Sequence, residues 1–234
     1  MKKINFLPLV ITLLFASALQ AQTVDEIIAK HIDAIGGKEK LNQVKSIYTE
    51  ISVDVMGNTA PTVEYLLAGK GYKAETDFNG SKIVNCINDK GGWTINPMMG
   101  GTDPQPMPDV LYKAGKDQIY VGGALVDYAA KGYTVELVGK EGSEFKLKIS
   151  NEGNESFYFF DPATYHITKV TSKSEMMGQP VEVTTTFADY KKTDFGIVIP
   201  YTRNVDTGMF QMTQKVNKVE VNKEIDPMIF EIPK

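Results

Sequence analysis

Two histidines, one cysteine and a few turn-flanking acids are the side chains of this sequence whose chemistry could reach beyond packing. His31 falls in helical text and His166 enters a strand. Neither has a partner at metal-ligand or proton-relay spacing, so each reads as a partly buried structural residue. The sequence has no Gly-x-Ser-x-Gly nucleophile elbow and no His-Glu-x-x-His metal motif. Gly36-Gly37-Lys38 lacks the Gly-x-x-x-x-Gly-Lys-Ser/Thr spacing of a phosphate loop and reads as a helix stop. Asp161 and Asp189 adjoin turns, where aspartate serves the backbone. Cys86 lies in the apolar stretch from Ile83 to Ile87 and reads as a small core residue rather than a reactive thiol. The expectation is a protein that is not an enzyme and needs no metal or cofactor.

The start of the chain carries a different signal. Lys2 and Lys3, an apolar run from Phe6 to Phe15 and the small-residue segment Ala16 to Ala21 follow the order of a secretory signal peptide. The run is shorter than the ~20 residues of a spanning helix and contains Pro8. Cutting after Ala21 is favoured over cutting after Ala18 by the polar Gln22-Thr23 that follows. Cys86 is too far from either site to be an acylated lipobox cysteine, so residues 22–234 are expected to form one soluble, exported domain. The net charge of −4, from 25 basic and 29 acidic residues spread along the chain, leaves no footprint for nucleic acid. With one cysteine no internal disulfide can form, and stability must come from buried apolar surface.

The elements that would position any site are mostly strands. Thr23 and Glu26 form a capping box, and Val24, Ile27, Ile28, His31 and Ile35 recur at helical spacing. Lys38 to Val44 reads as a second short helix. From Ser46 the period becomes two, with Ile47, Ile51, Val53 and Val55 alternating with Tyr48, Glu50, Ser52 and Asp54. Strands are predicted near 62 to 68, 72 to 78, 82 to 88 and 93 to 96, separated by glycine-bearing turns. Pro97 to Pro108 reads as a loop, and 109 to 130 as helical text. Seven further strands follow near 133 to 139, 145 to 150, 156 to 160, 166 to 173, 181 to 190, 197 to 203 and 209 to 221. About twelve strands and two helical regions suit a curved or partly closed sheet.

The helix text Ile27 to Leu41, the segment Tyr158-Phe159-Phe160-Asp161-Pro162 and Asp189-Tyr190-Lys191-Lys192 together resemble exported LolA-like proteins, the outer-membrane lipoprotein-sorting and lipid-carrier proteins of Gram-negative bacteria. The resemblance spans nearly all of the chain after the signal, through diffuse turn and helix signatures. It implies a mainly β fold with α, a half-open antiparallel β-barrel of about 11–12 strands with helices covering the mouth. It also implies a periplasmic carrier whose apolar cavity takes the acyl chains of lipoproteins or lipids, with inner- or outer-membrane docking proteins as partners. An acyl chain gains about 0.8 kcal/mol per buried methylene, so carriage needs apolar lining and no catalytic group. Tyr65, Leu67, Tyr72, Phe78, Trp93, Leu137, Phe187 and Met212 are the candidate lining residues, because they lie on apolar faces of predicted strands. Each has an ordinary core role as its alternative. Methionines near loops and strand ends, namely Met56, Met98, Met99, Met107, Met176, Met177 and Met209, suit adaptable packing around a guest. The family carries a functional arginine on an inner strand. The single arginine here, Arg203, falls late in the chain in a different context, which points towards a looser lipid-binding role. A sensing or interaction module of the cell envelope on the same half-barrel, and an exported hydrolase, are the competing readings.

Overall fold

Thr23 caps the first helix with the geometry its sequence requires. Its Oγ1 accepts from the Glu26 amide at 3.2 Å, and Glu26 Oε2 accepts from the Thr23 amide at 3.1 Å, opening α1 (Val24–Ala34). These details come from a computed structural model that describes residues 22–97, 100–176 and 179–233. The signal expected at 1–21, Met98, Met99, Met177 and the side chain of Met176 lie outside the described residues. The apolar stripe of α1 buries Ile27, Ile28 and His31. Gly36, at a φ of 125°, ends the helix, and a Cβ there would lie 3.1 Å from the Ile197 Cα. A five-residue helix follows, α2 (Lys38–Asn42), which buries Leu41.

Period-two text then runs as strands: β1 (Ser46–Val55), β2 (Asn58–Leu67), β3 (Gly71–Phe78), β4 (Ser81–Asn88), β5 (Gly92–Asn96) and β6 (Gly101–Pro106). After a crossing segment come β7 (Thr134–Glu141), β8 (Glu144–Asn151), β9 (Asn154–Phe160), β10 (Ile167–Met176), β11 (Gln179–Lys192), β12 (Val198–Asp206) and β13 (Gln211–Val221). They make one 13-stranded antiparallel sheet in the order β6-β5-β4-β3-β2-β1-β13-β12-β11-β10-β9-β8-β7. Two meanders therefore meet where β1 pairs with β13, with Ile47 opposite Val221 and Val53 opposite Gln214. β6 and β7 remain unpaired edges, so the barrel is half-open.

The structure departs from the sequence reading in two places. The proline-rich stretch read as a loop contains β6, where Pro106 stands opposite Trp93. An edge strand donates to one neighbour only, so prolines that would break an interior strand are tolerated there. The text at 109 to 130 is not continuous helix. It forms α3 (Asp109–Gly115) and two 3₁₀ turns, Lys116–Ile119 and Tyr128–Lys131. Gly122 and Gly123, at φ of 74° and 64°, interrupt it.

Both helices and the crossing segment pack on one face of the sheet. Ile27, Ile28, Ala124 and Leu125 meet Phe145, Leu147, Ile149 and Phe160 on one side, while Ile35, Leu41, Val44 and Val126 meet Ile197 on the other. Each large side chain fully buried here contributes roughly 1.5–3 kcal/mol. The opposite face of β2 to β5 is also covered. Beyond β13 the chain returns across it, and Phe230 packs with Val84, Cys86 and Trp93.

Candidate ligand cavity

The helical cover does not fill the concave face. A cavity of about 470 Å³ remains between it and the sheet, reaching from His31 and Ile35 of α1 and Leu41 of α2 to the inner residues of β1, β2, β3 and β9 to β13. Strand alternation puts Ile47, Thr49, Leu66 and Tyr72 on its wall, since Ile47 stands opposite Leu66 and Leu66 opposite Tyr72. The far wall carries Ile167, Val170, Phe187 and Val216.

Glu64, Tyr72 and Arg203 form a hydrogen-bonded group on this wall. Arg203 Nη2 donates to both Glu64 oxygens, at 2.9 Å each, and Tyr72 Oη–H donates to Glu64 Oε1 at 2.8 Å. Burial, reinforced by the neighbouring Glu64, pushes the Tyr72 phenol well above its ordinary range, so it stays a proton donor. Burial opposes charge on Arg203, but Glu64 overrides it and keeps the guanidinium protonated.

Two further titrating groups line the cavity from the cover. Burial pulls His31 down to about 4, so the ring is neutral and Nδ1–H donates to the Tyr165 carbonyl at 2.8 Å. Burial pushes Asp117 up to about 6 against the opposing pull of Lys131 and Lys116, and its carboxyl accepts from the Tyr133 hydroxyl. Burial also raises the Cys86 thiol to about 12, which leaves it unreactive under the sheet. Among the described residues no cluster of three or more His, Cys, Asp or Glu could hold a metal ion, and no helix is long and apolar enough to cross a membrane.

The eight residues singled out from the sequence separate by face. Tyr72 and Phe187 stand on the cavity wall. Tyr65, Leu67 and Trp93 alternate with the wall residues and lie on the opposite face, against the C-terminal segment. Leu137 is on the edge strand β7, opposite Leu147 and 37% exposed. Phe78 ends β3 opposite Ser81, beside the Asn79-Gly80 turn. Met212 stands opposite Val55 and Val205 near the start of β13. Glu64, an acid inside an otherwise apolar strand, is not singled out by the sequence reading, and the lone Arg203, which that reading sets apart from the family's arginine, stands on the wall beside it.

A half-open antiparallel barrel with helices over an apolar cavity is a LolA-like fold. Solved structures show the same architecture. One is a LolA superfamily protein of Nitrosomonas europaea, at 10% identity and a TM-score of 0.57 over 90% of this chain and 98% of that one. Another is an outer-membrane lipoprotein-sorting protein domain of Vibrio parahaemolyticus, at 15% identity and 0.55 over 88% and 94%. A DUF1329 family protein of Desulfovibrio piger matches at 13% identity and 0.59 over 90% and 98%. At these identities the likeness is one of fold. No protein-family model and no curated protein sequence matches the chain.

Proposed function

We propose that this protein is a non-enzymatic periplasmic carrier that shelters acyl chains of lipoproteins or lipids in its cavity, in the service of outer-membrane lipoprotein sorting. The export signal is removed after about Ala21, and residues 22–234 act as one soluble lipid-binding domain. Docking proteins of the inner or outer membrane are its protein partners.

The observation that carries this reading is the cavity of about 470 Å³ between sheet and cover, walled mainly by side chains such as Ile47, Leu66, Val170 and Phe187. That volume falls in the roughly 300–1,000 Å³ range of ligand pockets. Eight methylenes moved into such a wall from water contribute roughly 6 kcal/mol. A fold that recurs in a lipoprotein-sorting domain supports the same reading.

Purification from the host envelope, denaturing extraction and mass spectrometry should identify a bound acyl lipid. A protein that emerges lipid-free and also ignores a fluorescent fatty acid is not a carrier.

A further inference from the structure

Among the described residues Arg203 is the one cationic side chain on the cavity wall, and it is only half used by the protein. A guanidinium has five N–H donors in a rigid fork. Nη2 donates to both Glu64 oxygens, and no hydrogen bond from Nε or Nη1 to a described residue is present. Arg203 lines a cavity that is otherwise largely apolar, and its side chain, 26% exposed, is open to an acceptor that enters there.

The charge around this group restricts what can satisfy it. Glu64 already neutralises the guanidinium, and Tyr72 directs its hydroxyl to the same carboxylate. An incoming anion would find no net positive charge and would lie near the Glu64 oxygens. A neutral acceptor meets neither objection. Phe187 stands directly opposite Arg203 in the β11–β12 register, so an apolar surface adjoins the open donors. An acyl chain joined to a carbonyl has this pattern of acceptor and hydrocarbon.

We propose that Arg203 seats the ester or amide carbonyl at the head of a bound acyl chain, so that the cavity selects neutral acyl esters and amides over free fatty acids. This rests on the carrier reading. Glu64 and Tyr72 are positioning residues that hold the fork and cancel its charge.

The test is displacement of 1-aminoanthracene fluorescence from the delipidated mature protein by methyl oleate, by oleate at pH 8 and by 1-octadecene. Methyl oleate should bind about tenfold tighter than 1-octadecene, the worth of one hydrogen bond to a charged donor, and tighter than oleate, whose carboxylate would lie near the Glu64 oxygens. The variant Glu64→Leu/Tyr72→Phe/Arg203→Met replaces the polar group by hydrocarbon of similar size. It should lose about tenfold in methyl oleate affinity and none for 1-octadecene. Arg203→Lys retains the pair with Glu64 but lacks the open fork, and it should lose the ester preference too. That variant supplies the result if the triple variant does not fold. Equal binding of ester and acid, or an ester affinity unmoved in both variants, overturns the carbonyl seat and leaves the carrier reading intact. Failure of all three aliphatic compounds to displace the probe overturns both.

Discussion

Trp93 donates its indole Nε1–H to the carbonyl of Phe230 at 3.0 Å, across 137 positions of sequence. The same carbonyl accepts from Asn88 Nδ2 at 3.1 Å, and the Phe230 ring is 3% exposed among Val84, Cys86 and Trp93. The C-terminal segment is thereby fastened to the face of the sheet that turns away from the cavity. Phe230→Ala should cost about 3–5 kcal/mol, the range for emptying an aromatic site. Urea unfolding measures it, and ligand affinity should not change because the cavity is on the other face. A loss below about 1 kcal/mol would mean that the segment is not part of the stable fold.

Gly71 provides an independent check on that packing. A Cβ built there lies 2.5 Å from Cδ1 and Cγ of the Phe230 ring, a distance at which one of them must move. Gly71→Ala should destabilise the protein by about 1–3 kcal/mol through overpacking. In the Phe230→Ala background the clash is gone, so the penalty should fall to near zero. Additive effects in the double variant would show that the two residues do not touch.

Asp117 makes stability depend on pH in the direction opposite to an ordinary carboxylate. Its value in the folded chain is about 6 against an ordinary 3.8, so the folded state holds the proton where the unfolded state has released it. Its contribution therefore favours folding below pH 3.8 and is lost as pH rises through about 6. His31, held near 4 against 6.5, titrates with the other sign over an overlapping window. Comparison of wild type with Asp117→Asn, which keeps an acceptor for Tyr133, isolates the carboxyl. The variant should be the more stable at pH 7, with the gap closing towards pH 4. A gap that stays constant across that interval refutes the assignment.

The strand text was legible because alternation is a local property. Alternation places β3 at 72 to 78, where the strand spans Gly71–Phe78, and β8 at 145 to 150, where it spans Glu144–Asn151. What alternation does not carry is which face meets which cover. In β2 and β3 both faces are packed, one against the cavity and its cover and the other against Phe230. Tyr65 and Tyr72 consequently carry the same apolar signal on opposite sides of the sheet. The Arg203–Glu64 pair was hidden for a related reason, since 139 positions separate residues that only the β1–β13 closure brings together. β6 was hidden by Pro104 and Pro106, whose meaning changes once the strand is known to be an edge.

The division between wall and rim can be tested with two glutamates. Phe187 is on the wall, but it faces Arg203 across β11 and β12, and a carboxylate there would join the existing ion pair. Val170 is the cleaner position, because it lines the cavity opposite Thr185 and Tyr158, with no cation paired to it across either strand. Val170→Glu places an uncompensated charge where the acyl chain would lie, at a penalty of several kcal/mol, so affinity for a fluorescent fatty acid should fall at least about a hundredfold. Phe78→Glu, at the end of β3 beside a turn, should leave affinity within about twofold, since its neighbour across the hairpin is Ser81 rather than a wall residue. Circular dichroism should stay near native for both. Equal losses at the two sites would mean that the acyl chain is held along the rim of the barrel and not in the cavity beneath the helices.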